Sequence, residues 1–204
     1  LLPNYRGAAP INWVLINGES LTGVTTFLIN EQIDTGSILM QKEISISKND
    51  NTEKLSGKLI NIGAPLLIKT LYGLKKKKIV PISQKPLGNE KLALKLTKEN
   101  TMINWDNSLE QIKNLVRGLS PYPGAWTNLI VKSSSQKIKI FDAEPIYETH
   151  SHPTNQILVK SKKMYITHLE GFLNCKEIQL PNKRRMDAAA FLNGHKFLKD
   201  GIVF

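Results

Sequence analysis

An aperiodic segment near the middle of the chain constrains the fold more than any other feature of the sequence. Residues 75–89 contain four consecutive lysines, two prolines and one glycine, and their apolar residues follow neither helical nor strand spacing. Proline and glycine interrupt regular elements, and a run of like charges favours a solvated chain. We therefore interpret this segment as a basic linker between a domain over residues 1–74 and a second domain over residues 90–204.

Residues 1–74 alternate between helix and strand patterns. Pro10 stands where a first-turn proline belongs, β-branched residues indicate strands over 24–29 and 38–46, and apolar residues keep helical spacing over 55–74. Asp50 and Glu53 have the spacing of a capping box, which predicts that the long helix starts there. This order of elements predicts an α/β fold class for the first domain.

The second domain is predicted to consist mainly of short strands. Ser108 has the character of an N-cap before a helix that ends by residue 120, and Asp187 is predicted to cap a last short helix. Between these helices, strand patterns cover 125–131, 137–141, 157–159, 164–168 and 176–180. Their spacing is typical of a small barrel or sandwich. Tyr122, Trp126 and Cys175 are interpreted as packing residues of this domain.

The composition excludes several classes of protein. One cysteine rules out a disulfide framework and a four-cysteine zinc module, and the longest apolar runs are too short to span a membrane. His150 and His152 could share one strand face, but they lack acidic or cysteine partners at a convincing spacing for a metal site. We expect a soluble, cytoplasmic protein that binds neither metal nor membrane.

The charge is strongly positive and unevenly distributed. The chain has 28 Lys+Arg against 17 Asp+Glu, a net charge of +11. Residues 1–73 hold six basic and six acidic side chains, whereas residues 74–100 hold eight lysines and two glutamates. Such a surface attracts polyanions, nucleic acid among them, although solvated lysine-rich faces alone would give the same composition.

The sharpest local motif is Ile33-Asp34-Thr35-Gly36, which has three interpretations. Asp and Gly favour a tight turn between two strands. In an aspartic protease, an Asp-Thr-Gly turn holds one of two carboxylates that share a proton. No second Asp-Thr-Gly or Asp-Ser-Gly occurs in this sequence to supply the other carboxylate. The third interpretation depends on the segments around the motif.

Several separated segments together resemble the folate-dependent formyltransferases, those acting on methionyl-tRNA most of all. The segments are residues 1–7 (LLPNYRG), 22–25 (TGVT), 33–36 (IDTG), 121–126 (PYPGAW) and 187–194 (DAAAFLNG). The resemblance implies the C-terminal part of a Rossmann-like formyltransferase domain followed by a small OB-like β-barrel domain. It also implies a monomer that transfers a formyl group from 10-formyltetrahydrofolate to the amino group of methionyl-initiator tRNA.

Three other functions stay open at this stage. The same catalytic half occurs in amino-sugar formyltransferases and in formyltetrahydrofolate hydrolases, so a relative of either kind is an alternative. A non-enzymatic RNA-binding remnant that keeps the basic second domain is another alternative. The resemblance further places an asparagine and a histidine of the family's catalytic set upstream of Leu1, so residues 1–204 alone are expected to be inactive.

The resemblance assigns roles to a small set of residues in this chain. Asp34 is the expected catalytic carboxylate. Arg6 could contact a ligand or form a salt bridge, and we favour the structural role. The expected folate contacts are Leu1, Leu2, Pro3, Ile33 and Asp34. The expected tRNA contacts are Arg117, Lys183, Arg184 and Arg185, which would bind phosphates without reading sequence.

Overall fold

The structure, a computed structural model, describes residues 1–85, 88–131, 134–194 and 201–204. These residues form two compact units, Leu1–Leu96 and Thr97–Phe204. Pro86 and Leu87 of the predicted linker lie outside the described residues, as do 132–133 and 195–200 of the predicted second domain. No helix within the described parts of the chain is long and apolar enough to cross a membrane.

The first unit combines helices with short sheets, as predicted for an α/β fold. Its elements are β1 (Arg6–Gly7), α1 (Pro10–Ile16), β2 (Leu21–Phe27), β3 (Ile38–Ser45), α2 (Thr52–Lys75) and β4 (Leu92–Ala93). Strands β2 and β3 form an antiparallel hairpin, and β1 pairs with β4 in parallel. Pro10 begins α1, which confirms the first-turn proline.

The N-terminus of α2 differs from its prediction. Asn51 is the N-cap, and its side chain accepts a hydrogen bond from the backbone N–H of Lys54 at 2.9 Å. The predicted capping box of Asp50 and Glu53 is therefore wrong. Asp50 instead accepts the N–H of Ser47 at 2.8 Å and the ammonium of Lys58 at 2.6 Å, so its carboxylate closes the preceding turn.

The core of the first unit lies where both helices cover the β2–β3 hairpin and β4. Its buried members come from every part of the unit: Tyr5, Val14, Leu15, Ile46, Leu55, Leu59 and Ala93. Because Tyr5 directly precedes β1 and Ala93 pairs with Gly7 in β4, burial of this core also fixes the segment around Gly7.

The second unit is built on antiparallel strands. Its elements are α3 (Leu109–Gly118), β5 (Ala125–Val131), β6 (Ser134–Tyr147), β7 (Ile157–Lys160), β8 (Lys163–His168), β9 (Gly171–Gln179), β10 (Met186–Asp187), α4 (Ala188–Gly194) and β11 (Ile202–Val203). The helix starts agree with the prediction, since Ser108 and Gln111 form a reciprocal capping box and the Asp187 side chain accepts the N–H of Ala190 at 2.7 Å.

The strands of the second unit form a closed circuit. Their order is β11-β5-β6-β9-β8-β7, with β10 added beside β9. The two ends of this path meet, because Gln156 bridges to Ile202 and the N–H of Val203 donates to the carbonyl of Asn155 at 2.9 Å. We call this junction of β11 with β5 and β7 the seam.

Burial in the second unit confirms part of the sequence interpretation. Cys175 is fully buried, and this burial raises the pKa of its thiol. Trp126 is 9% exposed, as expected for a packing residue, but Tyr122 is 81% exposed. The packing role predicted for Tyr122 is therefore wrong, because the turn between α3 and β5 directs its side chain into solvent.

Candidate functional site

Asp34 lies in the loop of residues 28–37 that connects β2 to β3. Its backbone is in the left-handed region with φ 55°, and its side chain is half-buried. The carboxylate oxygen Oδ2 accepts the backbone N–H of Gly7 at 3.1 Å. Gly7 has φ 127°, and a Cβ there would lie 2.4 Å from the Ala93 carbonyl oxygen. Only glycine therefore allows β1 to approach β4 while it donates to Asp34.

The backbone of the loop is held by Gln84. The amide Nε2 of Gln84 donates to the carbonyl of Asp34 at 2.9 Å and to the carbonyl of Gly36 at 2.7 Å. Its Oε1 accepts two N–H groups of Arg6, the shorter contact being 2.6 Å. Arg6 thus has the structural role expected from the sequence: it orients the amide that fixes the Asp34 backbone.

Contacts within the loop complete its support. The Thr35 hydroxyl donates to the side-chain oxygen of Asn30 at 2.9 Å. A Cβ on Gly36 would lie 1.6 Å from the Leu28 carbonyl oxygen, so the two ends of the loop approach each other more closely than a side chain permits. A carboxylate held in this way can orient and stabilise a neighbouring imidazole or ammonium group.

The other predicted folate contacts lie against the same hairpin or in its loop. Gln41 on β3 donates to the carbonyl of Leu2 at 2.9 Å, and the Leu2 N–H points to the Thr25 hydroxyl on β2 at 3.4 Å. Leu1, Leu2 and Pro3 are all half-buried. Ile33, next to Asp34, is 77% exposed. One group of predicted contacts thus lies along the strands of the hairpin, and the other lies in its loop.

A polar cluster supports the segment that carries Gly7. The Tyr5 hydroxyl donates to Glu19 at 2.5 Å, and Lys91 donates to the same carboxylate oxygen at 2.7 Å. Burial, together with the hydrogen bond to Glu19, raises the pKa of Tyr5. Burial opposes ionisation of Glu19, but the hydrogen bonds from Lys91 and Tyr5 hold its pKa below the usual value. The two pKa shifts therefore favour a neutral phenol at Tyr5 beside an ionised carboxylate at Glu19.

The four predicted tRNA contacts differ in solvent exposure and in their partners within the fold. Arg117 on α3 is half-buried, and its Nε donates to the Asn114 side chain at 2.7 Å. Arg185 forms an ion pair with Glu177 and lies over the Phe141 ring at 4.5 Å from its centroid. Lys183 and Arg184 are exposed in the turn between β9 and β10. Two of the four cations are thus engaged within the fold and two face solvent.

Two histidines of the second unit make structural contacts. The Nε2 of His150 lies 2.9 Å from the carbonyls of His168 and Gly171, so it donates to the turn between β8 and β9. The Nε2 of His168 lies 3.0 Å from the Asn107 carbonyl, just before the N-cap of α3. Among the described residues, which leave out His195, no cluster of His, Cys, Asp or Glu is arranged to hold a metal ion.

Both parts of the chain match known protein-family descriptions. Residues 1–71 match the description "Formyl transferase", and residues 95–196 match "Formyl transferase, C-terminal domain". The chain belongs to the formyl transferase family. The resemblance inferred from the sequence segments is thereby confirmed at the family level.

Named relatives agree with this membership of the formyl transferase family. The chain is 43% identical over 204 residues to a methionyl-tRNA formyltransferase of Flavobacterium johnsoniae, a match that covers 100% of this chain and 65% of that protein. It is 44% identical over 197 residues to a methionyl-tRNA formyltransferase of Thermodesulfovibrio yellowstonii, covering 96% and 61% of the two chains. The chain therefore spans less than two thirds of the length of these relatives.

A solved structure shows the same fold at low sequence identity. HypX from Aquifex aeolicus, crystallised with tetrahydrofolic acid, matches with a TM-score of 0.71 and 18% identity, over 97% of this chain and 34% of that chain. At this level of identity the likeness concerns the fold alone.

Within this formyl transferase, sequence reasoning missed Gln84. The residue lies in the segment interpreted as a linker, where no periodicity marks a buried or paired position. The N–H and carbonyl of Ile82 pair with Ile38 at 2.8 Å each, and this short pairing brings Gln84 to the Asp34 loop. A bridge of a single residue leaves no pattern in the sequence that could have revealed it.

Proposed function

We propose that this formyl transferase transfers the formyl group of 10-formyltetrahydrofolate to the amino group of methionyl-initiator tRNA. The carrying observation is the identity of 43% over all 204 residues with a methionyl-tRNA formyltransferase. In this reaction the amine attacks the formyl carbon and loses a proton, and the folate nitrogen leaves. The charge that develops on the formyl oxygen and on the amine must be stabilised by fixed polar groups.

Asp34 is the proposed catalytic carboxylate. Its support is the geometry of the loop: one carboxylate oxygen accepts the Gly7 N–H at 3.1 Å, and Gln84 fixes the backbone on either side of Thr35. A carboxylate in a fixed position can set the tautomer of an imidazole beside it and stabilise the charged form of that imidazole. The asparagine and histidine that the resemblance adds to this set are not among residues 1–204, so we expect these residues by themselves to catalyse no turnover.

The other proposed folate contacts are four apolar residues on the β2–β3 hairpin side of the first unit. Leu1, Leu2 and Pro3 lie along the hairpin, and Ile33 is exposed next to Asp34. An apolar slot with a few directed polar groups suits a pterin ring. In this proposal Asp34 supplies the polar group and the other four residues supply the wall.

The second unit is the proposed tRNA-contacting domain. We propose that its closed circuit of strands is a small OB-like barrel, supported by the Gln156–Ile202 bridge, and that it follows the Rossmann-like catalytic domain of a monomer. Part of the basic segment 75–89, which the sequence suggested as the linker, packs within the first unit, where Ile82 pairs with Ile38 and Gln84 donates to the Asp34 loop. Lys183 and Arg184 are exposed and suited to phosphate contact. Arg117 and Arg185 stay in the proposed set, with their internal partners limiting their reach.

A chimera tests the proposed reaction. Residues 1–204 replace the matched part of the Flavobacterium johnsoniae enzyme, and formylation of methionyl-tRNA is measured with 10-formyltetrahydrofolate. We expect turnover, and we expect Asp34→Asn in the chimera to lower kcat about 10²–10⁴-fold, the usual contribution of a positioned acid–base group. Asp106→Asn is the matched control, because Asp106 is an exposed aspartate of the other unit.

The outcomes separate the alternatives. Formyl transfer to an amino-sugar nucleotide in place of methionyl-tRNA would assign the chain to the sugar formyltransferases. Release of formate without an acceptor would assign it to the hydrolases. A folded chimera without any formyl chemistry, but with tRNA binding, would favour the RNA-binding remnant.

A further inference from the structure

Asp34 is attached to the first unit at two points, and both lead to the two residues of strand β1. Its carboxylate oxygen Oδ2 accepts the backbone N–H of Gly7 at 3.1 Å. Its carbonyl accepts an N–H of Gln84 at 2.9 Å, and Gln84 in turn accepts from Arg6, the other residue of β1. The side chain and the backbone of Asp34 are thus tied to one strand, which fixes the direction of the carboxylate as well as its place.

The backbone conformation of Asp34 depends on such support. With φ 55° the residue lies in the left-handed region, which a residue with a Cβ enters at a cost in free energy. A conformation of this kind persists only where surrounding contacts determine it. Gln84 supplies two of these contacts, one to the Asp34 carbonyl and one to the Gly36 carbonyl at 2.7 Å. Loss of both would allow the loop to relax and the carboxylate to turn away from Gly7.

Arg6 selects the orientation of the Gln84 amide. A guanidinium donates and cannot accept, whereas the two loop carbonyls accept and cannot donate. Nε and Nη2 of Arg6 lie 3.2 and 2.6 Å from Oε1 of Gln84, so the amide oxygen faces β1. The amide nitrogen then faces the loop, where it makes both of its donations. The reversed amide would set donor against donor on one side and acceptor against acceptors on the other.

The second carboxylate oxygen of Asp34 is left for the reaction. No hydrogen bond from the part of the chain that the structure describes reaches Oδ1, whereas Oδ2 is engaged by Gly7. In the proposed function this carboxylate orients an imidazole, and a displacement of about 1 Å in such a group can lower the rate about a hundredfold. The position of Oδ1 therefore depends on the contacts that hold the Asp34 backbone.

We propose that Gln84 and Arg6 are positioning residues for formyl transfer. Gln84 holds the backbone of Asp34, and Arg6 acts on Asp34 through the orientation of the Gln84 amide. This assignment gives Arg6 a part in the reaction without a contact to substrate, in place of the ligand contact that the sequence left open. The inference rests on the proposed function, because it takes Asp34 as the catalytic carboxylate.

The experiment uses the chimera described above, which contains residues 1–204. We measure kcat with both substrates saturating for Gln84→Met, for Arg6→Met and for the double variant, and we repeat Gln84→Met in the Asp34→Asn background. The matched control is Gln136→Met, because Gln136 is a half-buried glutamine of β6 in the second unit. Circular dichroism establishes that each protein is folded.

The losses of activity are expected to be non-additive. Gln84→Met is expected to lower kcat about tenfold to a hundredfold, and Arg6→Met about tenfold, because the carboxylate is misplaced. The double variant is expected to match Gln84→Met, since Arg6 has no effect once the amide is gone. In the Asp34→Asn background, Gln84→Met is expected to lower kcat less than about threefold, because both changes remove the same function. The control is expected to keep kcat within about twofold.

Two milder substitutions serve where a methionine variant does not fold. Gln84→Glu keeps an acceptor for Arg6 but removes both donations to the loop, and it is expected to lower kcat as Gln84→Met does. Arg6→Lys offers an ammonium donor to the amide oxygen, and it is expected to recover part of the activity that is lost in Arg6→Met.

Each remaining outcome overturns a definite statement. Additive losses from Arg6→Met and Gln84→Met would show that Arg6 does not act through the amide. An equal loss from Gln84→Met with and without the Asp34 carboxylate would show that Gln84 does not act through Asp34. Unchanged kcat in the Gln84 variants would overturn the positioning role and leave the proposed function standing. A wild-type chimera without turnover would overturn the proposed function itself, and the positioning role with it.

Discussion

Asp50 is a buried carboxylate whose charge is stabilised from two sides. The residue is 4% exposed, and it accepts hydrogen bonds from the Lys58 ammonium and the Ser47 N–H. Burial alone would raise its pKa, but these hydrogen bonds hold the pKa of Asp50 below its usual value. A carboxyl whose pKa falls on folding stabilises the native state above the unfolded pKa, near 3.9. That stabilisation is lost as the pH falls through the native pKa.

Replacement of this carboxylate gives a first prediction. Asp50→Asn is expected to lower the free energy of unfolding at pH 7 by about 1–3 kcal/mol, because the Lys58 and Ser47 donors lose an ionised acceptor. The difference from the wild type is expected to shrink as the pH falls from about 4 through the lowered native pKa of Asp50, because the wild-type carboxylate becomes protonated over this interval and its stabilising charge is lost. Urea unfolding at both pH values measures this difference. Equal stability of the variant and the wild type at pH 7 would show that the Asp50 carboxylate does not stabilise the native state. The control is Asp106→Asn, because Asp106 is exposed.

At the scale of elements, the loop of residues 28–37 depends on a side chain far away in the sequence. Gln84 donates to two carbonyls of the loop and accepts from Arg6, so one amide joins the loop to β1. A loop supported mainly by such contacts opens more readily than a sheet, because few backbone hydrogen bonds of its own must break.

Loss of this support gives a second prediction. Gln84→Glu keeps an acceptor for Arg6 but removes both donations to the loop carbonyls. Amides of residues 30–37 are expected to exchange about tenfold faster, the effect of roughly 1–1.5 kcal/mol on local opening. Hydrogen–deuterium exchange with mass spectrometry measures this rate. The control is Lys85→Ala, a substitution at the neighbouring exposed residue, which is expected to leave the exchange rate unchanged. An unchanged rate in Gln84→Glu would show that Gln84 does not stabilise the loop.

The helices show what local sequence can predict. Pro10, Ser108 and Asp187 mark helix starts that the structure confirms, because each acts within one turn of its own helix. The start of α2 could not be read in the same way, since Asp50 and Asn51 are both good caps. The choice between them depends on Lys58, which takes Asp50 as a partner one residue before the cap.

The strands and the candidate site show where local sequence stops being sufficient. Strand β6 was predicted over residues 137–141 but runs from 134 to 147, because pairing with β5 and β9 extends it beyond its apolar alternation. The motif around Asp34 indicated a loop with a carboxylate. Its partners Gly7 and Gln84 come from pairings between distant segments, which no local pattern encodes.

At the scale of the whole molecule, the seam of the second unit joins residues that are distant along the chain. The Thr127 hydroxyl donates to the Phe204 carbonyl across a separation of 77 residues. Val203 is fully buried at the seam, whereas its neighbour Ile202 is 46% exposed. The circuit of strands is therefore completed by a two-residue strand with one buried side chain.

This contrast within β11 gives a third prediction. Val203→Ala is expected to lower the free energy of unfolding of the second unit by about 1–3 kcal/mol, because it leaves a cavity beside β5. Ile202→Ala is expected to change it by less than about 0.5 kcal/mol. Exchange of the slowest amides in β5 and β8 reports this unit specifically. Equal effects of the two substitutions would show that burial of Val203 at the seam does not stabilise the second unit.

The seam also bears on how the second unit is made. A ribosome synthesises β5 long before β11, so each nascent chain passes through a stage in which β5 and β7 are present without the strand that joins them. Unpaired edges of this kind are the usual starting points of intermolecular sheets. Translational pauses in this interval prolong the time for which these strand edges are exposed. Chaperones that bind nascent strands reduce intermolecular pairing of the edges during that time. Yield in the cell is then governed by the timing of synthesis as well as by the stability of the finished fold.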